Sequence, residues 1–282
     1  METVTYLQAI IMGLVQGLAE FLPVSSSGHL VLFKFILGAE LGTSALFEIL
    51  LHVGTLLAVF VFYWKDVLNL IKEGLLLIKD SFLFVFKRKK FDLYLERKMV
   101  VFIIVASIPT AILGLLMEAF LEDLFLSSVV AVGFALLVTG TMLMLIRKMP
   151  KSDKTLEEMK GRDAFTIGLV QGIATIPGIS RSGSTVTTGL FCGLDKEFAF
   201  RFSFLMSIPA ILGAAVLKMM DVNIADLTAN AGPYAVGMIV AAVVGYASIR
   251  WLKNLIQKDQ FHYFGYYCLA VGLISIVYGI LV

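Results

Sequence analysis

Residues 16–30 read QGLAEFLPVSSSGHL, from Gln16 to Leu30, and set polar, ionisable and helix-breaking residues inside an otherwise hydrophobic segment. A bilayer core does not hold such groups without a use for them. Ser25, Ser26 and Ser27 stand between Pro23 and Gly28, Gln16 and Glu20 are one helical turn apart on the approach, and His29 lies just beyond. Hydroxyls, a carboxylate and an imidazole in one break of an apolar helix are the parts of a reaction centre.

The rest of the chain fits a membrane setting. Of its 282 residues 59% are hydrophobic and only 16% charged, and the mean hydropathy is +0.91, which excludes an ordinary soluble domain. Each helical span takes about 20 apolar residues, so the length allows several spans and short loops. The start Met1-Glu2-Thr3 lacks the basic region and cleavage site of a removable signal peptide. Cys192 and Cys268 have no paired spacing and read as buried small side chains. The net charge of +2 gathers in loops, where topology explains it, and gives no sign of nucleic-acid binding.

Working outward, residues 6–22 read as a helix that Pro23 and the serines stop, and 28–37 resume an apolar run too short to span. Helix, break and short helix make a re-entrant hairpin over 6–38. Residues 45–64 span, and Lys65, Lys72, Lys79, Lys87, Arg88, Lys89, Lys90, Arg97 and Lys98 mark a cytoplasmic connection, 65–98. Within it, 67–86 mix leucine and phenylalanine with spaced lysines, as suits a helix lying in the interface. Residues 99–117 span outward, an acidic turn around Glu118, Glu122 and Asp123 lies outside, and 127–146 return. Arg147, Lys148, Lys151, Lys154, Lys160 and Arg162 mark the cytoplasm again.

A repeat then appears. GLVQGLA at 13–19 matches GLVQGIA at 168–174 but for one exchange, and Ser27-Gly28 falls on Ser182-Gly183 at the same separation. A second hairpin over 164–193 breaks at Pro177-Gly178, and spans follow at 198–217, 233–249 and 263–282, with Arg250, Lys253 and Lys258 inside. Each half, 1–163 and 164–282, is one hairpin plus three spans. Three is odd, so the second copy enters the membrane upside down, and the expected fold is an all-α polytopic protein with an inverted-topology repeat. Met1 is expected outside. Broken helices at corresponding places in inverted halves meet near the midplane and form the binding site there.

Together the two breaks offer the hydroxyls of Ser25, Ser26, Ser27, Ser180, Ser182, Ser184 and Thr185, the Glu20 carboxylate, the His29 imidazole and the Arg181 guanidinium. Gly28, Gly178 and Gly183 expose backbone beside them. Hydroxyls, amides and an arginine at the start of a half-helix form an anion site, most naturally for phosphate. An apolar surround suits a lipid tail on that phosphate. A serine, with His29 or Glu20 as base and Arg181 against the charge, fills the roles of phosphoryl transfer. Glu48 is a further candidate for lining the pocket, His52 reads as packing within its span, and His262 as interfacial.

The motifs carry a family resemblance. Gln16 and Glu20 fit (E/Q)xxxE, residues 23–29 read PVSSSGH, and 177–185 fit PGxSRSxxT. The chain resembles, over its whole length, the undecaprenyl-diphosphate phosphatases known as bacitracin-resistance proteins. The resemblance implies hydrolysis of undecaprenyl diphosphate to undecaprenyl phosphate and inorganic phosphate in the bacterial plasma membrane. It also implies recycling of the carrier for wall polymers, a site opening outward, and bacitracin resistance. By motif, Ser26 is the implied nucleophile, with Glu20, His29 and Arg181 catalytic. Gln16, Ser25, Ser27, Gly178, Ser180, Ser182 and Thr185 are implied in substrate binding. A divalent cation, Mg or Ca, is implied at Glu20, with Gln16 standing where many members have glutamate; no organic cofactor is.

Two other classes compete. Broken inverted repeats are also a transporter or flippase architecture, although a transporter has no evident use for a serine nucleophile. Lipid phosphatases of the acid-phosphatase type need SRxxxxxH, and the histidine position here is Thr187.

Overall fold

The computed structural model describes residues 4–37, 45–87, 95–149, 152–219 and 224–281. Met1, Arg88, Lys89, Lys90, Lys151, residue 38 of the first expected hairpin and Val282 of the last expected span lie outside the described residues. The described residues are helical apart from short connections: α1 (Tyr6–Ala19), α2 (Ser26–Leu37), α3 (Ala45–Phe62), α4 (Trp64–Lys87), α5 (Leu95–Leu126), α6 (Val129–Leu145), α7 (Gly161–Ile173), α8 (Arg181–Phe191), α9 (Lys196–Met219), α10 (Ile224–Gln257) and α11 (Tyr263–Leu281). Among the described residues five helices are long and apolar enough to cross a membrane, and six if the bent pair of α3 and α4 counts as one span. Their outer faces agree: Ile104, Ile108 and Ile112 on α5 and Ile239 and Val243 on α10 are exposed, as lipid-facing residues are.

Both expected breaks are present. Thr5 opens α1 with a capping box, its hydroxyl accepting from Gln8 N at 3.2 Å while Gln8 Oε1 accepts from Thr5 N at 2.8 Å. α1 ends at Ala19, ahead of Pro23, and α2 starts at Ser26. α7 ends at Ile173, ahead of Pro177, and Ser180 caps α8 by accepting from Gly183 N at 3.1 Å. Each helix stops three residues short of the expected boundary, because Pro23 and Pro177 have no N–H to donate to the carbonyls of Ala19 and Ile173 four residues back.

Other boundaries also differ from expectation: α10 runs to Gln257, past the expected end at 249, so Arg250 and Lys253 belong to its last turns and not to the loop. The acidic stretch around Glu118, Glu122 and Asp123 is not a turn but the last turns of α5. Its Glu, Leu and Phe residues continue a helix until Ser127, and Ser128 then caps α6 by accepting from Ala131 N at 3.2 Å. The span expected to start at Pro233 begins at Ile224 instead, with Pro233 inside α10. Asp226 secures these extra turns by accepting from Asn230 Nδ2 and from Tyr234 OH, each at 2.9 Å.

Packing pairs early helices with late ones. α1 lies on α10, α7 on α5, α6 on α11, and α3 on both α10 and α9. Small residues allow the close crossings. A Cβ on Gly13 would stand 2.6 Å from Gly237 O of α10, and one on Gly168 would run into the Ala106 backbone of α5. The main core gathers around Phe21, Val59, Phe200, Phe202, Phe204 and Met206.

Candidate active site

The first loop is shaped by Ser25, whose φ of 69° is a left-handed conformation that non-glycine residues rarely adopt. That turn puts Ser25 Oγ where it accepts from Gly28 N at 3.2 Å and from Gly178 N at 3.1 Å, so one hydroxyl ties the two loops together. Gly178 also has a positive φ, 99°. From α6, Thr139 holds the second loop by donating to Gly178 O at 2.9 Å and accepting from Ser180 N at 3.0 Å.

Glu20 is the centre of the site. Its Oε2 accepts from Ser26 Oγ at 2.8 Å and from Gln16 Nε2 at 2.9 Å, and its Oε1 pairs with Arg181 Nη2 from the other loop. The Glu20 side chain is buried and the Arg181 side chain about one-fifth exposed. Breaking such a pair leaves an uncompensated charge, which fixes both side chains against each other. Arg181 Nη1 is buried and has no hydrogen-bond partner among the described residues, a donor suited to an oxygen of a bound anion.

A cavity of about 260 Å³ opens onto this cluster. Glu20, Ser25, Ser26, Ser27, Ser180 and Arg181 line it, with Glu48, His52 and Thr175, against an apolar wall that includes Ile49, Ile179 and Ile211. One polar end and one apolar wall suit an amphiphile with an anionic head. α2 and α8 both begin at this cavity, so two helix N-termini add partial positive charge there.

The residues named from sequence do not all meet. Gln16, Glu20, Ser25, Ser26, Ser27, Ser180 and Arg181 come together, and Gly178 serves through its backbone. His29 is turned away: its Nδ1 lies 2.8 Å from Ser25 O and its Nε2 2.7 Å from Tyr267 OH, with the two rings stacked at 5.6 Å. Ser182 and Thr185 do not line this cavity but a second, very small one that adjoins it through Glu20 and Arg181 and is shared with Ser203 and Ser207, where the Thr185 and Ser203 hydroxyls bond.

His52 corrects the reading from sequence. It does not simply pack within α3 but faces the cavity, with Nε2 3.7 Å from Glu20 Oε2 and Nδ1 2.8 Å from Glu48 O. The Nδ1–H donated to the Glu48 backbone carbonyl orients the ring with Nε2 toward Glu20. The signal was there: Glu48 and His52 are ionisable, one turn apart and inside an apolar span.

For a divalent cation, no group of three or more His, Cys, Asp or Glu stands close enough to hold a metal among the described residues. The donors present are oxygens: Glu20 Oε2, Ser26 Oγ and Gln16 Oε1, the last buried and without a partner among the described residues. Such a set fits a hard cation whose remaining ligands are phosphate oxygens, not a protein-only cage.

The family model described as Bacitracin resistance protein BacA matches residues 9–274. An undecaprenyl-diphosphatase of Methanosphaera stadtmanae is 43% identical over 97% of this chain and 98% of its own. Similar proteins of the same description are found in Methanobrevibacter smithii, 43% identical over 95% of each chain, and in Alkaliphilus metalliredigens, 44% identical over 98% of this chain and 100% of its own.

Proposed function

The chain belongs to the bacitracin resistance protein BacA family, and we propose that Ser26 carries out the reaction its relatives are named for, removal of the terminal phosphate of undecaprenyl diphosphate. This recycles the lipid carrier for wall synthesis and confers resistance to bacitracin. The observation that carries the assignment is the chain of contacts Ser26–Glu20–Arg181 across the two loops.

The diphosphate enters the cavity with its prenyl tail along the apolar wall. Arg181 takes the terminal phosphoryl oxygens, with Nη1 buried and without a partner among the described residues. Glu20 Oε2 removes the Ser26 proton as Oγ bonds to phosphorus, and the bridging P–O bond breaks to release undecaprenyl phosphate. Water then attacks the phosphoserine, the P–Oγ bond breaks, and the proton returns to Ser26. The 2.8 Å contact favours Glu20 as the base over His29, whose ring nitrogens hold Ser25 and Tyr267. Ser25 and Ser180 support the loops around the phosphate, and Ser27 lines the entrance. A divalent cation, held by Glu20 and Gln16 with the substrate's oxygens, would neutralise the charge of the diphosphate.

The cavity's position supports an outward opening from the plasma membrane. It lies near the start of α3, whose far end leads into the lysines of α4, and basic residues mark the cytoplasmic side. The reciprocal packing of α1 on α10 and α7 on α5 supports two inverted halves, 1–163 and 164–282. The test is phosphate release from a polyprenyl diphosphate by purified protein in detergent, with Ser26→Ala and Arg181→Ala beside the unchanged chain. Loss in both variants while they stay folded supports the assignment. An unchanged chain that is inert with added magnesium or calcium refutes it.

A further inference from the structure

α4 turns 90° from α3 at a break of one residue and continues amphipathic for 24 residues. Trp64, Leu68, Ile71, Leu75, Ile78 and Phe82 are all exposed and recur every three or four residues, which makes one apolar stripe along the helix. Lys65, Lys72 and Lys79, also exposed, follow the stripe at seven-residue intervals. Seven residues are almost two turns, so the three ammonium groups form a row along one edge, about 21 Å from first to last. Lys65 Nζ stands 5.5 Å over the Trp64 ring.

The acidic residues of this helix are turned elsewhere. Asp66 pairs with Arg201 of α9, and Arg97 of α5 takes both Glu73, at 3.2 Å, and Asp80, at 2.7 Å. Partners on other helices thus neutralise the carboxylates of the inner face. The lysine row has no acidic partner among the described residues, so the outer face is apolar with a purely cationic border.

We propose that this face of α4 is a docking surface for anionic phospholipid headgroups on the basic side of the membrane. The stripe from Trp64 to Phe82 enters the acyl region and the lysine row lies on the lipid phosphates. A bare apolar stripe would be indifferent to headgroup charge; the row of unneutralised lysines is not, since each one near an anionic surface adds attraction.

The chain has two tryptophans, so Trp251→Phe leaves Trp64 as the sole reporter. That full-length protein is placed in phosphatidylcholine vesicles in which a fixed fraction of either phosphatidylcholine or phosphatidylglycerol carries bromine high on the acyl chain. We expect brominated phosphatidylglycerol to quench Trp64 about twofold more than brominated phosphatidylcholine. The excess disappears when Lys65, Lys72 and Lys79 are all changed to Gln. It also disappears in about 1 M salt, which needs no variant to fold. Equal quenching by the two lipids, or an excess that survives both treatments, overturns the proposal. So does strongest quenching by bromine deep in the chains, which would put α4 through the membrane.

Discussion

Gly178 donates its backbone N–H to Ser25 Oγ at 3.1 Å, joining two loops 153 residues apart in the chain. With Gly178 at a φ of 99°, any side chain there strains the backbone, and a Cβ would stand 2.6 Å from Ala135 Cβ and 2.7 Å from Val132 O of α6. Gly178→Ala is therefore expected to cost about 1–3 kcal/mol and to lower both the thermal midpoint and phosphate release. Ser25→Ala, which removes the tie without a clash, should lower activity more than stability. Measuring both variants in detergent separates the effects, and an unaltered Gly178→Ala protein would show that the loops do not need this contact.

His29 and Tyr267 should behave as a structural pair. Tyr267→Phe removes the partner of His29 Nε2 and is expected to cost about 1 kcal/mol. The cost in His29→Asn should not add to it. Were His29 the base for Ser26, His29→Asn would abolish turnover in a chain of undiminished stability. A double-mutant cycle read by thermal unfolding and by initial rate distinguishes these outcomes.

His52 is expected to act on the reaction and not on folding. Its ring contacts the open cavity and Glu20, so His52→Ala should leave the thermal midpoint close to that of the unchanged chain. It should slow phosphate release on the order of tenfold to a hundredfold through a misplaced Glu20. A normal rate would return His52 to a packing role.

Asp163, in the first turn of α7, provides a pH-dependent contribution to stability. Burial opposes its ionisation, but the Lys154 ammonium, the Lys160 backbone N–H and Arg162 outweigh that and hold the carboxyl below its ordinary value. A carboxyl lowered in the folded chain stabilises it above the unfolded pKa. That stabilisation is lost as pH falls from near 4 through the folded value. Thermal midpoints between pH 6 and pH 3 should fall more steeply for the unchanged chain than for Asp163→Asn; parallel curves would contradict this.

Much of this molecule was legible because polar residues are conspicuous in an apolar chain. The breaks at Pro23 and Pro177, the serines, Glu20 and Arg181 all violate the surrounding hydropathy, and the structure brings them into one cavity. What escaped depended on tertiary contacts. No periodicity distinguishes a histidine that holds Ser25 and Tyr267 from one that faces the cavity, so the motif makes His29 catalytic and His52, which has no motif, reads as packing. The start of α10 at Ile224 depends on Asp226 reaching Asn230 and Tyr234, which offsets the proline that appeared to begin the span. Likewise the acidic end of α5 has good helix formers, and charge alone made it resemble a turn.

In the proposed reaction Ser26 Oγ becomes bonded to the phosphorus it attacks. A polyprenyl diphosphate labelled in its terminal phosphate, mixed with the purified protein and quenched in acid during turnover, tests this directly when the peptide containing Ser26 is isolated. Label on that peptide in the unchanged chain, absent in Ser26→Ala together with a rate loss on the order of a hundredfold or more, is the expected result. Release of labelled phosphate by Ser26→Ala at the unchanged chain's rate would contradict it.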